Sequence, residues 1–280
     1  TFEGVGIQLG FNKDKVLSVV TPLADTPAYK AGVKAGDLIL KIDGLSTANV
    51  TIPEAVSKIR GPKGTKVELT LLRNGDAKPI VVILKRENIM VKSVELKWQG
   101  DVAIIKLNKF GDRTQQEWNE TIAQVVGKKI VLDLRDNPGG YLDGAVYMAG
   151  EFLPAGKLVV AQQSGDGSKI DHKVNRNGHL MKEKMVVLVN KGSASAAEIL
   201  AGALQDYKRA KVIGEQSFGK GSVQQPEDFA NGAGIHITVA KWLRPSGEWI
   251  DKIGIKPDVE IKAGEDVDKD EQLQKALELL

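Results

Sequence analysis

The sequence predicts a small β-rich domain followed by a larger α/β core. Three observations carry that expectation. Short apolar stretches of strand length, separated by Gly, Pro and Asp, fill the chain up to Arg86. From Val91 onward apolar strands alternate with helical patterns, which is the signature of an α/β layer structure. A chain of 280 residues, 42% hydrophobic, is long enough for two domains with full cores.

In order, Val5, Ile7 and Leu9 alternate with small or polar residues, the period of a half-buried strand. Residues 16–20, 38–42, 67–72 and 80–84 supply further short strands. Between them Thr51 and Glu54 form a capping-box pattern, and Ile52, Val56 and Ile59 follow on one helical face before Gly61-Pro62 stops the run. The core then reads as strand 102–107, helix 114–126, strand 130–134, helix 142–152, strand 185–189 and helix 196–207. Residues 162–184 are polar and Gly-rich, as expected of an exposed insertion. Near the end Leu273, Ala276, Leu277 and Leu280 share a helical face, which docks on the core or packs against another subunit, docking being preferred. The expected boundaries are 1–88, 89–264 and 265–280.

Composition excludes several classes. There are 39 Lys+Arg against 36 Asp+Glu, dispersed rather than gathered in a basic stripe, so nucleic acid is not an expected partner. With no cysteine there can be no thiolate nucleophile, thiolate zinc site or disulfide. His172, His179 and His236 are scattered without metal-ligand spacing, so neither metal nor cofactor is expected. No apolar run reaches the roughly 18 residues of a membrane span. The chain opens at Thr1 without a charged-then-apolar leader, as expected if a targeting segment has been removed.

Two segments can carry chemistry. After the apolar strand 185–189 comes Asn190-Lys-Gly-Ser-Ala-Ser-Ala-Ala-Glu198, which places Ser195 at a helix N-terminus, where the macrodipole favours developing negative charge. Alone, Ser195-Ala-Ala-Glu198 is a capping box, and it is not a GxSxG elbow. The second segment is Ser217-Phe-Gly-Lys-Gly-Ser-Val-Gln224. It is not a phosphate loop, because Gly221 stands where Ser or Thr belongs.

Together these segments, with LDLRDNPGGYLDGA and the closing GIKPD, resemble the carboxyl-terminal processing (tail-specific) serine proteases. The stretch from Thr26-Pro-Ala-Tyr-Lys-Ala-Gly to Asp37, the strand 38–42 and the helix after Thr51 resemble a PDZ domain. The likeness runs from Gly4 to Asp258. It departs at Ala197, where many members carry a further Ser, and at the absence of the helical segment that usually opens the family's chains. The resemblance implies a crotonase-like (ClpP/crotonase-type) α/β protease core with a small β-rich PDZ domain, in an extracytoplasmic location. It also implies polypeptide substrates with free apolar C-termini.

By that resemblance Ser195 is the nucleophile, Lys220 the general base and Gln224 the residue that orients the base. Gly140 and Ala196 offer the oxyanion N–H groups. A lysine base must lose its proton well below its usual value of about 10.4. Burial does this, and Gly219 and Gly221 are expected to let the backbone pack around the amine. Asp206 matches a further position important for activity. It stands about 16 Å along the helix from Ser195, too far for a local triad. Its expected role is to fix the core through Arg209 or the Lys220 segment, or a plain salt bridge. Val5, Gly6 and Ile7 match the loop that holds a peptide carboxylate, and Val56 the wall of its side-chain pocket. Two rivals stand beside this reading: a non-catalytic PDZ scaffold with a vestigial protease core, and an acyl-CoA enzyme of crotonase-like fold.

Overall fold

A computed structural model describes every residue except 1, 13, 24, 74, 75, 77, 229–233 and 265–268. It divides into two compact units, Thr1–Val91 and Lys92–Leu280. The first four residues of the anticipated terminal segment, 265–268, lie outside the described residues, as does Thr1.

The first unit runs β1 (Phe2–Gly4), β2 (Ile7–Phe11), β3 (Leu17–Pro22), α1 (Pro27–Lys30), β4 (Leu38–Ile42), β5 (Leu45–Ser46), α2 (Ile52–Ile59), β6 (Lys66–Leu72), β7 (Ile80–Lys85) and β8 (Glu87–Ile89). Its antiparallel sheet has the order β2-β3-β4-β6-β7, with β5 beside β4, while β1 pairs β8 separately. Period-two burial is clearest in β6, where Val67, Leu69 and Leu71 point into a core shared with Leu17, Val19, Ile39, Ile42 and Ala55. The capping box at α2 forms: Glu54 Oε2 accepts the Thr51 N–H at 2.8 Å, and Thr51 Oγ1 accepts the Glu54 N–H at 3.4 Å. At the other end of α2 the buried Arg86 donates to the carbonyls of Lys58 and Ile59, a cation where the helix dipole is negative.

The second unit contains β9 (Val94–Gln99), β10 (Val102–Leu107), α3 (Thr114–Val125), β11 (Lys129–Asp133), α4 (Leu142–Phe152), β12 (Leu158–Ser164) and β13 (Lys169–Lys173). It continues through β14 (Met185–Val189), α5 (Ala196–Asp206), β15 (Lys211–Gly214), β16 (Ser222–Asp228), β17 (Gly234–Leu243), β18 (Val259–Glu260) and α6 (Glu271–Glu278). A six-stranded sheet, β18-β15-β14-β11-β10-β9, is parallel except for β9. Both its faces are covered, which is why its inner strands read as unbroken apolar runs. Ile130, Leu132, Val187 and Val189 pack into the large core with Trp118, Met148 and Leu200 from α3, α4 and α5. Val131, Val186, Leu188 and Ile213 face the opposite way, against Leu273, Ala276 and Leu277 of α6. The terminal helix is therefore docked, and Arg135 clamps it by donating to Asp270 as well as to Asp133.

The structure corrects one expectation. Much of the polar stretch 162–184 is not an insertion: β12 and β13 form a hairpin within a second, antiparallel sheet of order β13-β12-β17-β16. The segment after it buries Val174 and Leu180 in the large core. Edge strand β13, Lys-Ile-Asp-His-Lys, is mostly exposed, so it lacks the apolar periodicity that announces a strand.

Candidate active site

Strand β14 is buried throughout and delivers a tight turn to the N-terminus of α5. In that turn the buried Ser193 donates from Oγ to the Leu134 carbonyl at 2.8 Å and accepts the Asn190 N–H at 3.0 Å. Ser195 follows with φ 54° and ψ −118°, a conformation that costs a residue with a side chain about 1–3 kcal/mol. Backbone strain of this kind persists only where surrounding contacts hold it.

The loop after β11 supplies those contacts. Asn137 is fully buried, and its side-chain amide donates to the Leu107 carbonyl at 2.6 Å. Its Oδ1 accepts the Gly139 N–H and its backbone carbonyl accepts the Ala194 N–H, both at 2.9 Å. Gly139, at φ 97°, lies so close to the serine turn that a Cβ would stand 2.7 Å from Ser195 Cβ and 2.9 Å from Ala196 N. Gly140, at φ 136°, is pressed on the Phe110 carbonyl, which itself accepts the Tyr141 N–H at 2.9 Å. Among the described residues no acceptor takes the N–H of Gly140 or of Ala196. Two backbone donors without acceptors thus flank the Ser195 turn.

Glu198, fully buried on the first turn of α5, joins the two chemical segments. Its Oε2 accepts the Ser195 N–H at 2.8 Å and the Lys220 N–H at 2.9 Å. Its Oε1 accepts the Gly219 N–H at 2.6 Å and the Ser217 Oγ hydrogen at 2.5 Å. Four donors on one carboxylate account for its burial without a cationic partner. Ser217 Oγ in turn accepts the Ile255 N–H at 2.6 Å, and the Phe218 N–H reaches the Ser193 carbonyl at 3.0 Å.

Lys220 is brought to the serine turn by its backbone, but its side chain is exposed, contrary to the burial expected from the sequence. The flanking glycines serve a different contact. A Cβ on Gly219 would stand 3.0 Å from Ile253 N, and one on Gly221 would strike Asp251, so they admit the backbone of the following loop rather than enclose the amine. Gln224 is also exposed, on edge strand β16. Asp206 closes α5 at the end remote from Ser195 and pairs with Arg244, not with Arg209. Arg209 instead donates to the carbonyls of Phe152, Leu180 and Glu183.

In the first unit Val5 belongs to the core and its carbonyl accepts the Ala28 N–H at 3.0 Å. Gly6, at φ 78°, sits where any Cβ would run into Thr26, and its carbonyl accepts the Leu23 N–H at 2.9 Å. The Gly6 N–H has no acceptor among the described residues. Ile7 opens β2, the terminal strand of the sheet, and Val56 is half-buried on α2.

The sequence alone gave no role to Glu198 beyond capping, or to Asn137 and Ser217. The SxxE spacing held the only signal, since a carboxylate offers more acceptor sites than one cap uses. Among the described residues no cluster of His, Asp and Glu could hold a metal ion, and no helix is long and apolar enough to cross a membrane.

Comparison with known proteins finds matches to both units. A PDZ domain matches residues 18–73. The chain is 42% identical over 271 residues to the "Carboxy-terminal-processing protease" of Bartonella bacilliformis, covering 93% of this chain and 62% of the relative. It is 41% identical over 267 residues to the "Probable CtpA-like serine protease" of Staphylococcus aureus, covering 93% of this chain and 53% of that one. The chain thus spans somewhat more than half the length of these relatives. The solved photosystem II D1 C-terminal processing protease superposes with a TM-score of 0.60 at 30% identity, over 95% of this chain and 74% of its own. Peptidase family S41 matches residues 101–261, from β10 through β18 and including both the serine turn and the Lys220 segment, and the chain belongs to that family.

Proposed function

We propose that this chain is a serine endopeptidase that captures polypeptide C-termini on its PDZ domain and cleaves peptide bonds with a Ser195–Lys220 dyad. The observation that carries the reading is the pairing of the strained Ser195 turn with the N–H groups of Gly140 and Ala196, which have no acceptor among the described residues. Backbone donors fixed before the reaction are what a tetrahedral acyl-transfer intermediate requires. On this reading the core is crotonase-like, the protein works outside the cytoplasm, and Gln224 orients the base.

The neutral Lys220 amine takes the Ser195 Oγ proton as Oγ attacks the scissile carbonyl. The oxyanion is held by Gly140 and Ala196. Collapse expels the amine product, which takes the proton from Lys220, and leaves an acyl-Ser195 ester. Water then attacks the ester while Lys220 takes its proton, and as the acyl–Oγ bond breaks Lys220 returns that proton to Ser195 Oγ and the acid product leaves. Lys220 is exposed in the free chain, so on this reading it is the bound substrate that excludes water from the amine.

Tail capture is assigned to the loop Val5-Gly6-Ile7, with the peptide added as a strand beside β2 and its last side chain against Val56. The carbonyls of Val5 and Gly6 are already occupied within the domain, and the Gly6 N–H, without an acceptor among the described residues, supports a carboxylate-binding role. Apolar terminal residues follow from this placement. The test compares cleavage of one polypeptide bearing a free, an amidated or an Asp-Asp-extended C-terminus. Slower cleavage of the last two at limiting concentration supports the reading, and equal rates refute tail recognition. A second reading, a PDZ scaffold with a vestigial core, is favoured by one observation. The Lys220 side chain is exposed rather than enclosed beside Ser195. Peptide-bond cleavage lost on Ser195→Ala eliminates it.

A further inference from the structure

We infer that Trp249 is a positioning residue for Lys220, acting through the carbonyl of Gly221; this rests on the assignment of Lys220 as the base. The Trp249 indole Nε1–H donates to the Gly221 carbonyl at 2.9 Å, and the Trp242 backbone N–H donates to the same oxygen at 2.8 Å. The Gly221 N–H meets Asp251 Oδ1 at 3.3 Å. Gly221 is thus gripped at both its amide and its carbonyl, one residue beyond Lys220. Together with the Glu198 contact to the Lys220 N–H, this fixes the backbone on each side of the lysine Cα.

A tryptophan held only for packing would be buried, whereas Trp249 is 41% exposed. What holds its ring is polar. Lys241 Nζ stands 4.5 Å from the ring centroid, and Lys241 pairs across the sheet with Ser222, the first residue of β16. The turn that presents Trp249 is closed by the Arg244 N–H to the Glu248 carbonyl at 2.9 Å and by a bridge between Leu243 and Trp249. That turn is fastened to α5, because Asp206 pairs with Arg244 and accepts the Ser246 N–H at 3.0 Å. A continuous path therefore runs from Asp206 through the Arg244 turn and the Trp249 indole to the Lys220 segment. It gives Asp206 a way to reach the base although the helix holds it far from Ser195.

The experiment uses the full chain carrying Trp249→Phe, which keeps a ring beside Lys241 but removes the donor, and Lys241→Met, which loosens the ring. Hydrogen exchange over residues 217–224 is measured by mass spectrometry, together with kcat and KM. One neutral hydrogen bond is worth about a three- to tenfold change, so Trp249→Phe should lower kcat by about that factor with KM unchanged. Exchange should be faster over 217–224, and Lys241→Met should act in the same direction but less. Unchanged exchange overturns the brace whether or not the chain is active. Faster exchange with unchanged kcat overturns its bearing on the base. If wild-type Ser195 cannot be acylated, the proposed function fails, and the exchange result alone decides whether the brace exists.

Discussion

Ser195 and Lys220 are joined through a single oxygen atom: Glu198 Oε2 accepts the backbone N–H of both, at 2.8 and 2.9 Å. The separation of the proposed nucleophile and base is thus set by main-chain anchors, while the Lys220 side chain itself is exposed.

Replacing Glu198 tests that anchor. Glu198→Gln preserves volume, but its amide hydrogens would face N–H donors on one side. Activity should fall at least about tenfold with the fold retained, as expected when one acceptor of a charge-assisted network becomes a donor. Glu198→Ala leaves four buried donors without an acceptor and should cost about 2–4 kcal/mol in urea denaturation. Full activity in Glu198→Gln would show that the carboxylate is only a cap.

Backbone strain at Ser195 gives a second expectation. Because φ is 54° there, Ser195→Gly should be more stable than Ser195→Ala by about 1 kcal/mol, although both lack the hydroxyl. Equal midpoints in urea would mean that the turn is not strained.

Much of this architecture is legible in the sequence, and the reasons differ from element to element. Strand β14 announces itself because both faces are buried, which makes Met185–Val189 uninterruptedly apolar. The Ala196–Asp206 helix is marked by the N-terminal Ser195 and Glu198. Strand β13 is hidden because almost all of it meets solvent. The double duty of Glu198 is hidden for another reason: its partners Ser217, Gly219 and Lys220 come from a separate segment, and no local pattern records their approach. The glycines around Lys220 are visible, but the backbone they admit, that of Asp251 and Ile253, becomes known only from the fold.

The Asp206–Arg244 pair is mostly buried, each side chain 12% exposed. Removing one partner leaves a poorly solvated charge, so Asp206→Ala should cost about 2–3 kcal/mol and lower kcat more than it raises KM. A double-mutant cycle with Arg244→Ala should recover much of the stability loss as coupling energy. Strict additivity would show that the two residues do not act together.

Acid should weaken the first unit through Asp37. Burial alone would raise its carboxyl, but hydrogen bonds from Arg73 and the Lys34 N–H, and the Arg73 charge, hold it below the usual carboxylate range. A depressed value in the folded state means stability that is present above about pH 4 and is lost as pH falls through the folded value. The stability gap between wild type and Asp37→Asn should therefore be wide at pH 7 and shrink toward pH 3. A gap independent of pH would contradict the pairing.

Covalent labelling asks whether Ser195 is a nucleophile activated by Lys220. The wild-type chain is incubated with a fluorophosphonate at neutral pH, and the modified peptide is identified by mass spectrometry. A Ser195–Lys220 dyad should give one adduct, on Ser195, with labelling that slows by orders of magnitude in folded Lys220→Ala. The Lys220→Ala, Ser195→Ala double variant should cleave peptide no more slowly than either single one, because the two residues act as a unit. No adduct on Ser195, or an adduct formed equally fast without Lys220, would contradict it.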